Sequence, residues 1–115
     1  MDQGAILVAD LRLPGKRWEQ PLLVVSAAAF NRRGHDLVVV TSWLASKYEP
    51  GPLDVTIKRD HPEFRLTGLD AGRFFQCGKL FTFDRRERHR VIGEAPADVL
   101  ESVIQALRAV LGLSR

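Results

Sequence analysis

The clearest chemical signal in the chain is clustered positive charge. Asp84-Arg85-Arg86-Glu87-Arg88-His89-Arg90 places four arginines within six residues, and Lys16-Arg17, Arg32-Arg33 and Lys58-Arg59 add shorter basic pairs. Cations grouped in this way suit a phosphate backbone or an acidic peptide, because both are polyanions. The ordinary alternative for any one pair is a solvated face. Trp18 directly follows Lys16 and Arg17. An exposed indole beside two cations can stack on a nucleobase, and it can equally cover a sheet edge or meet a partner protein. Lys16, Trp18, Arg85, Arg86 and Arg88 are therefore candidate contacts to RNA or to an acidic partner.

Other chemistries find no foothold. His35, His61 and His89 are scattered at spacings that fit no zinc template, so no metal and no cofactor are expected. No glycine-rich phosphate loop and no Gly-x-Ser-x-Gly nucleophile elbow occurs. The single cysteine, Cys77, rules out an internal disulfide and favours a reducing compartment. With no histidine near it in sequence, it reads as a buried thiol in a strand.

The elements that must carry these residues fit one domain spanning residues 1–115, with 45% apolar and 27% charged residues and a net charge of +3. No apolar run reaches the roughly 18 residues of a spanning helix. The opening Met1-Asp2-Gln3-Gly4 lacks the layout of a signal peptide, so a cytoplasmic location without membrane contact is expected. Gly4–Leu11 is a short apolar run suited to a buried strand, Arg12–Gln20 reads as a loop broken by Pro14-Gly15, and Pro21–Ser26 as a second strand. Ala27–Arg33 suits one helical turn closed by Gly34, and Leu37–Trp43 a central strand.

Tyr48–Pro52 is turn-like, and Leu53–Lys58 alternates as a half-buried strand. After a polar loop over 59–72, strands are expected at Arg73–Cys77, Lys79–Asp84 and Arg88–Ile92, with Gly78 marking a bulge. Pro96 then opens an amphipathic helix in which Val99, Leu100, Val103, Ile104, Leu107, Val110 and Leu111 recur at helical steps until Gly112. The expected fold is mainly β: a small, closed or nearly closed barrel carrying one C-terminal helix. A second copy is one way to cover an edge that such a barrel leaves open.

The order of these landmarks resembles the MazF/PemK/Kid toxins. The glycine-led first strand, the basic loop, Pro21 opening Leu22-Leu23-Val24-Val25-Ser26, and Ala27-Ala28-Ala29-Phe30-Asn31-Arg32-Arg33 match the start of that family. Likeness continues through the valine strand to Ser42, Thr67-Gly68-Leu69-Asp70, Cys77, Thr82-Phe83-Asp84, Ile92-Gly93 and the terminal helix. The resemblance implies an SH3-like barrel of the CcdB/MazF/Kid type and a homodimer. It also implies metal-free cleavage of single-stranded RNA and a cognate antitoxin whose acidic tail lies across the active groove.

The resemblance also implies where catalysis sits, and there the chain departs from the pattern. The family's arginine before the strand-opening proline is Gln20 here, and the arginine–cysteine–aspartate trio used by some members reads Gln76-Cys77-Gly78. The hydroxyl after the valine strand corresponds to Thr41 or Ser42. Glutamine carries no charge and exchanges no proton near neutrality. A cation from Arg17, Lys16 or Lys79 is then the available substitute. Gln20, Arg17, Thr41, Ser42 and Gln76 are the candidate catalytic positions, and Lys79 joins the candidate binding residues. Two readings follow for a toxin: a nuclease weakened or lost, or one running on a rearranged set. A third is a non-catalytic module like CcdB, or a nucleic-acid-binding regulator.

Overall fold

A computed structural model describes the backbone of residues 1–13 and 16–113, and the side chains of those residues except 10–18. Six antiparallel strands form one curled sheet: β1 (Ala5–Leu13), β2 (Lys16–Val24), β3 (Asp36–Leu44), β4 (Val55–Ile57), β5 (Arg73–Asp84) and β6 (His89–Glu94). Their order across the sheet is β4-β5-β3-β2-β1-β6. A short helix α1 (Ala28–Asn31) links β2 to β3, and α2 (Ala97–Val110) follows β6. This is the mainly β barrel with one terminal helix that the residue pattern predicts, left open because its outer strands β4 and β6 do not pair with each other.

Two regions of the sheet differ from the sequence expectation. Residues 12–20 read as a loop, yet β1 runs to Leu13 and β2 begins at Lys16, with paired positions from Leu13↔Lys16 to Ile6↔Leu23. Backbone groups supply the ladder bonds, so charged residues extend a hairpin as well as apolar ones where no core must be filled. The two strands expected on either side of Gly78 are one strand, β5. Its register against β3 slips from Val40↔Leu80 to Ser42↔Phe75, so residues 76–79 oppose the single Thr41. The bulge expected at Gly78 thus lies inside a continuous strand.

Both faces of the sheet are apolar. Ile6, Leu23, Val40, Ile57 and Phe75 pack with Val99, Val103 and Ala106 of α2. Burying each large side chain of this kind contributes about 1.5–3 kcal/mol. Leu7, Leu22, Val24, Leu37, Val39 and Phe83 form the cluster on the other face. A 3-10 turn at Phe64–Thr67 lies against β6. The approach is close enough that a Cβ on Gly68 or Gly93 would run into the facing backbone, and Gly68 also sits at φ +70°.

The Phe30-Asn31 part of the sequence signature has a structural role. Asn31 is fully buried, its Nδ2 donating to the carbonyls of Met1 at 2.9 Å and Ser26 at 3.0 Å. Ser26 Oγ in turn accepts from Val38 N–H at 3.0 Å. This network ties the amino terminus to the β2–β3 connection, at the end of the strand pair away from Gln20 and Ser42.

Candidate functional site

The β2–β3 ladder runs from Val24↔Val39 to Leu22↔Thr41 and stops. Pro21 is the next residue of β2 and has no N–H to continue it. Its carbonyl instead accepts a 2.8 Å hydrogen bond from Ser42 Oγ. Gln20 and Ser42 are both buried at this point, 5% and 0% exposed. Arg73, the first residue of β5, sends its guanidinium into the same place. Its Nη1 lies 3.3 Å from Ser42 Oγ, 3.4 Å from Ser42 O and 3.4 Å from Gln20 Oε1.

Arg73 is the charged group of this site. Burial lowers its pKa, and the nearby Asp70 carboxylate works against that. A guanidinium stays charged at any physiological pH all the same. Among the described residues no carboxylate forms an ion pair with it, and its buried Nε has no hydrogen-bond partner. A half-buried cation with a spare donor can hold an anion, and it stands beside Gln20.

Thr41 and Gln76 belong to a neighbouring cluster. Trp43 Nε1 donates to Gln76 Oε1 at 2.9 Å, with Thr41 Oγ1 at 3.5 Å from the same oxygen. Trp43 meets Tyr48 edge to face, with centroids 5.3 Å apart. A cavity of about 180 Å³ joins the two clusters, lined by Glu19, Gln20, Trp43, Lys47, Tyr48 and Arg73.

The arginine stretch divides by position. Arg86 is held by Asp84 at 2.7 Å, and that bond keeps the Asp84 carboxyl down at about 2. Arg85 donates to the Gly34 carbonyl. Arg88 is exposed and lines a second cavity, of about 410 Å³, with Val8, Glu19, His89 and Arg90. Arg90 pairs with Glu19 at 3.0 Å, so Glu19 stands where the two cavities meet. Lys79 is exposed on the β5 bulge and touches neither cluster among the described residues. The side chains of Lys16, Arg17 and Trp18 lie outside the described residues. Cys77 is fully buried and its thiol is pushed up to about 11, chiefly by burial, which makes it a poor nucleophile.

Of the positions singled out in the sequence, the fold thus gathers Gln20 and Ser42 at one point and sets Thr41 with Gln76 in the adjoining cluster. Arg73, the charge between them, is absent from the sequence reading. The available signal was an arginine opening an otherwise apolar strand directly after Gly72. Nothing in the local pattern tells where such a side chain reaches.

Comparison with known proteins agrees with this fold. The model of the PemK-like, MazF-like toxins of type II toxin–antitoxin systems matches residues 2–111. The structure is similar to an endoribonuclease in complex with its cognate antitoxin from a mycobacterial species, at 23% identity and TM-score 0.79, covering 100% of this chain and 98% of that one. It is similar to a MazE–MazF structure (Form-III) from Deinococcus radiodurans at 25% identity and TM-score 0.78, covering 99% and 98%. It also resembles the Mycobacterium tuberculosis toxin MazF-mt6 at 15% identity and TM-score 0.74, covering 96% and 99%. No curated protein sequence matches. On the match over residues 2–111, the chain belongs to the PemK-like, MazF-like toxins of type II toxin–antitoxin systems.

Proposed function

We propose that the protein is an active, metal-independent endoribonuclease for single-stranded RNA, with its essential cation moved from position 20 to Arg73. The observation that carries this reading is the Arg73 guanidinium, 3.3–3.4 Å from Ser42 and Gln20 and without an acidic partner among the described residues. A phosphate in the adjoining cavity meets the charged fork and the Gln20 amide, while Ser42 Oγ, whose proton goes to the Pro21 carbonyl, helps to hold the guanidinium in place. In the reaction the 2′-oxygen bonds to phosphorus and the P–O5′ bond breaks, leaving a 2′,3′-cyclic phosphate and a 5′-hydroxyl. Arg73 steadies the charge that builds on the phosphorane oxygens. Glu19 and Lys47 line the same cavity. The carboxylate takes the 2′-hydroxyl proton and the ammonium returns one to the departing 5′-oxygen, so protons balance over the cycle.

The same surface accounts for the partners. An acidic antitoxin segment lying over the Arg88-His89-Arg90 cavity would compete with RNA for the same cations, and the mycobacterial neighbour is a complex with its antitoxin. A homodimer covers the sheet edges that one chain leaves unpaired at β4 and β6. The second reading, a non-catalytic interaction module, draws on Leu111 and Leu113, which are 57% and 63% exposed after α2. Incubating the purified protein with a long single-stranded RNA in EDTA, then mapping the new ends, decides between them. Discrete cuts with cyclic phosphate ends support the nuclease. Intact RNA, from protein shown to be folded and dimeric, supports the binding module.

A further inference from the structure

We infer that Trp43 and Tyr48 form a stacking subsite for one nucleobase of the RNA, immediately beside the phosphate held by Arg73. The inference rests on the nuclease reading for its ligand. Its evidence is separate, and it gives Gln76 a role that the loss of a catalytic arginine does not explain.

Tyr48 is 52% exposed, yet it is not loose on the surface. Its ring meets Trp43 at 5.3 Å with an interplanar angle of 72°. Trp43 is fixed in turn, because its indole N–H donates to Gln76 Oε1 at 2.9 Å. The glutamine thus acts as a positioning residue that sets the plane of Trp43, and Trp43 sets Tyr48. A gap of 5.3 Å does not admit a third ring between the two, so a base stacks on an outer face of the pair. Both rings line the same cavity as Arg73 and Lys47. A nucleotide whose phosphate sits on Arg73 can lay its base against this platform, and ring stacking accepts any base because every base has a π face. The arrangement is prepared before RNA arrives, which reduces the ordering cost of binding.

The test leaves Trp18 in place and reads Trp43, one of the two tryptophans of the chain, as the difference in emission between the wild-type protein and Trp43→Phe. That difference is followed while a single-stranded RNA hexamer with 2′-O-methyl groups, which cannot be cut, is added. A series of hexamers with one abasic position walked along the strand is compared with it. The subsite predicts quenching of Trp43 by the intact hexamer. Removal of the base at one position abolishes the quench and weakens binding about tenfold, the size of one lost base–aromatic stack. Tyr48→Ala produces the same loss, and Tyr48→Phe retains the stack. Equal affinity for every hexamer overturns the subsite while leaving RNA binding in place. Base-dependent quenching by a protein that never cuts RNA keeps the subsite and overturns the nuclease reading. No binding of any hexamer overturns both.

Discussion

Replacing Arg73 with methionine separates catalysis from folding. Methionine fills much of the space of the arginine stem without its charge. The hydrogen bonds that the guanidinium makes to Ser42 and Gln20, at 3.3–3.4 Å, are longer than the usual 2.9 Å of a strong bond, so each holds the fold weakly. Against them stands the cost of keeping a guanidinium half-buried with no ion-paired carboxylate among the described residues, Asp70 offsetting only part of it. Apolar replacements of buried charges are often neutral or stabilising. The unfolding free energy of Arg73→Met should therefore stay level or rise by about 1 kcal/mol, a gain of about 3–5 °C in Tm for a chain of this size. The same substitution removes the guanidinium that the proposed reaction sets against the phosphate. That costs about 3–4 kcal/mol of transition-state stabilisation, or roughly 10²–10³ in kcat. Thermal denaturation and the rate of cutting a labelled RNA, measured on the same preparation, read both quantities. A variant destabilised by about 2 kcal/mol or more, as expected for the breaking of a structural charge pair, and still cutting at the wild-type rate would make Arg73 a structural strut and refute the reasoning.

Four further outcomes follow from particular contacts. On the family pattern alone, Gln20→Arg should raise cleavage. In the structure it sets a second guanidinium against Arg73 at a site 5% exposed, so alone it should cost about 2–4 kcal/mol, and adding Arg73→Gln should recover both stability and activity. Full activity in the single variant, without loss of stability, would contradict this. Asn31→Ala leaves the part-buried carbonyls of Met1 and Ser26 without their donor and should cost about 1–3 kcal/mol in urea unfolding, whereas a loss under half that would mean water replaces the amide. The Asp84 carboxyl, held at about 2 in the folded chain, stabilises the fold fully above its ordinary value near 4 and ceases to do so as pH falls through about 2. Asp84→Asn should therefore flatten the acid-stability curve within that window, and an unchanged curve would count against the Asp84–Arg86 bond. Finally, Arg88→Ala should reduce the salt slope of single-stranded RNA binding by about 0.7, and Arg86→Ala by less because Asp84 already neutralises it. Equal effects would mean the ion pair opens on binding.

The parts legible in the sequence were those with a local cause. Helix α2 declares itself through apolar residues at helical steps between Pro96 and Gly112, and the valine strand β3 through its β-branched run. Gly78 marked a real register slip, since a break in pairing needs a residue with few steric demands. The hairpin over 12–20 was hidden because charge on a strand looks like loop when the pairing partner is unknown. Arg73 was hidden for a related reason. It reaches Gln20 across 53 residues of chain, and only the curl of the sheet and the end of the β2–β3 ladder at Pro21 bring the two together. The resemblance points to Gln20 as a place for catalysis, and Arg73 is the charge that the fold supplies beside it.

In the proposed reaction Arg73 holds the phosphate. Its Nε–H, buried and without a hydrogen-bond partner among the described residues, is a reporter for that contact. The measurement is the ¹H–¹⁵N resonance of this group, assigned by its absence from Arg73→Lys, during titration with an uncleavable 2′-O-methyl RNA. A phosphate held by Arg73 shifts this resonance until the RNA saturates. A resonance that stays in place while the RNA binds would contradict it.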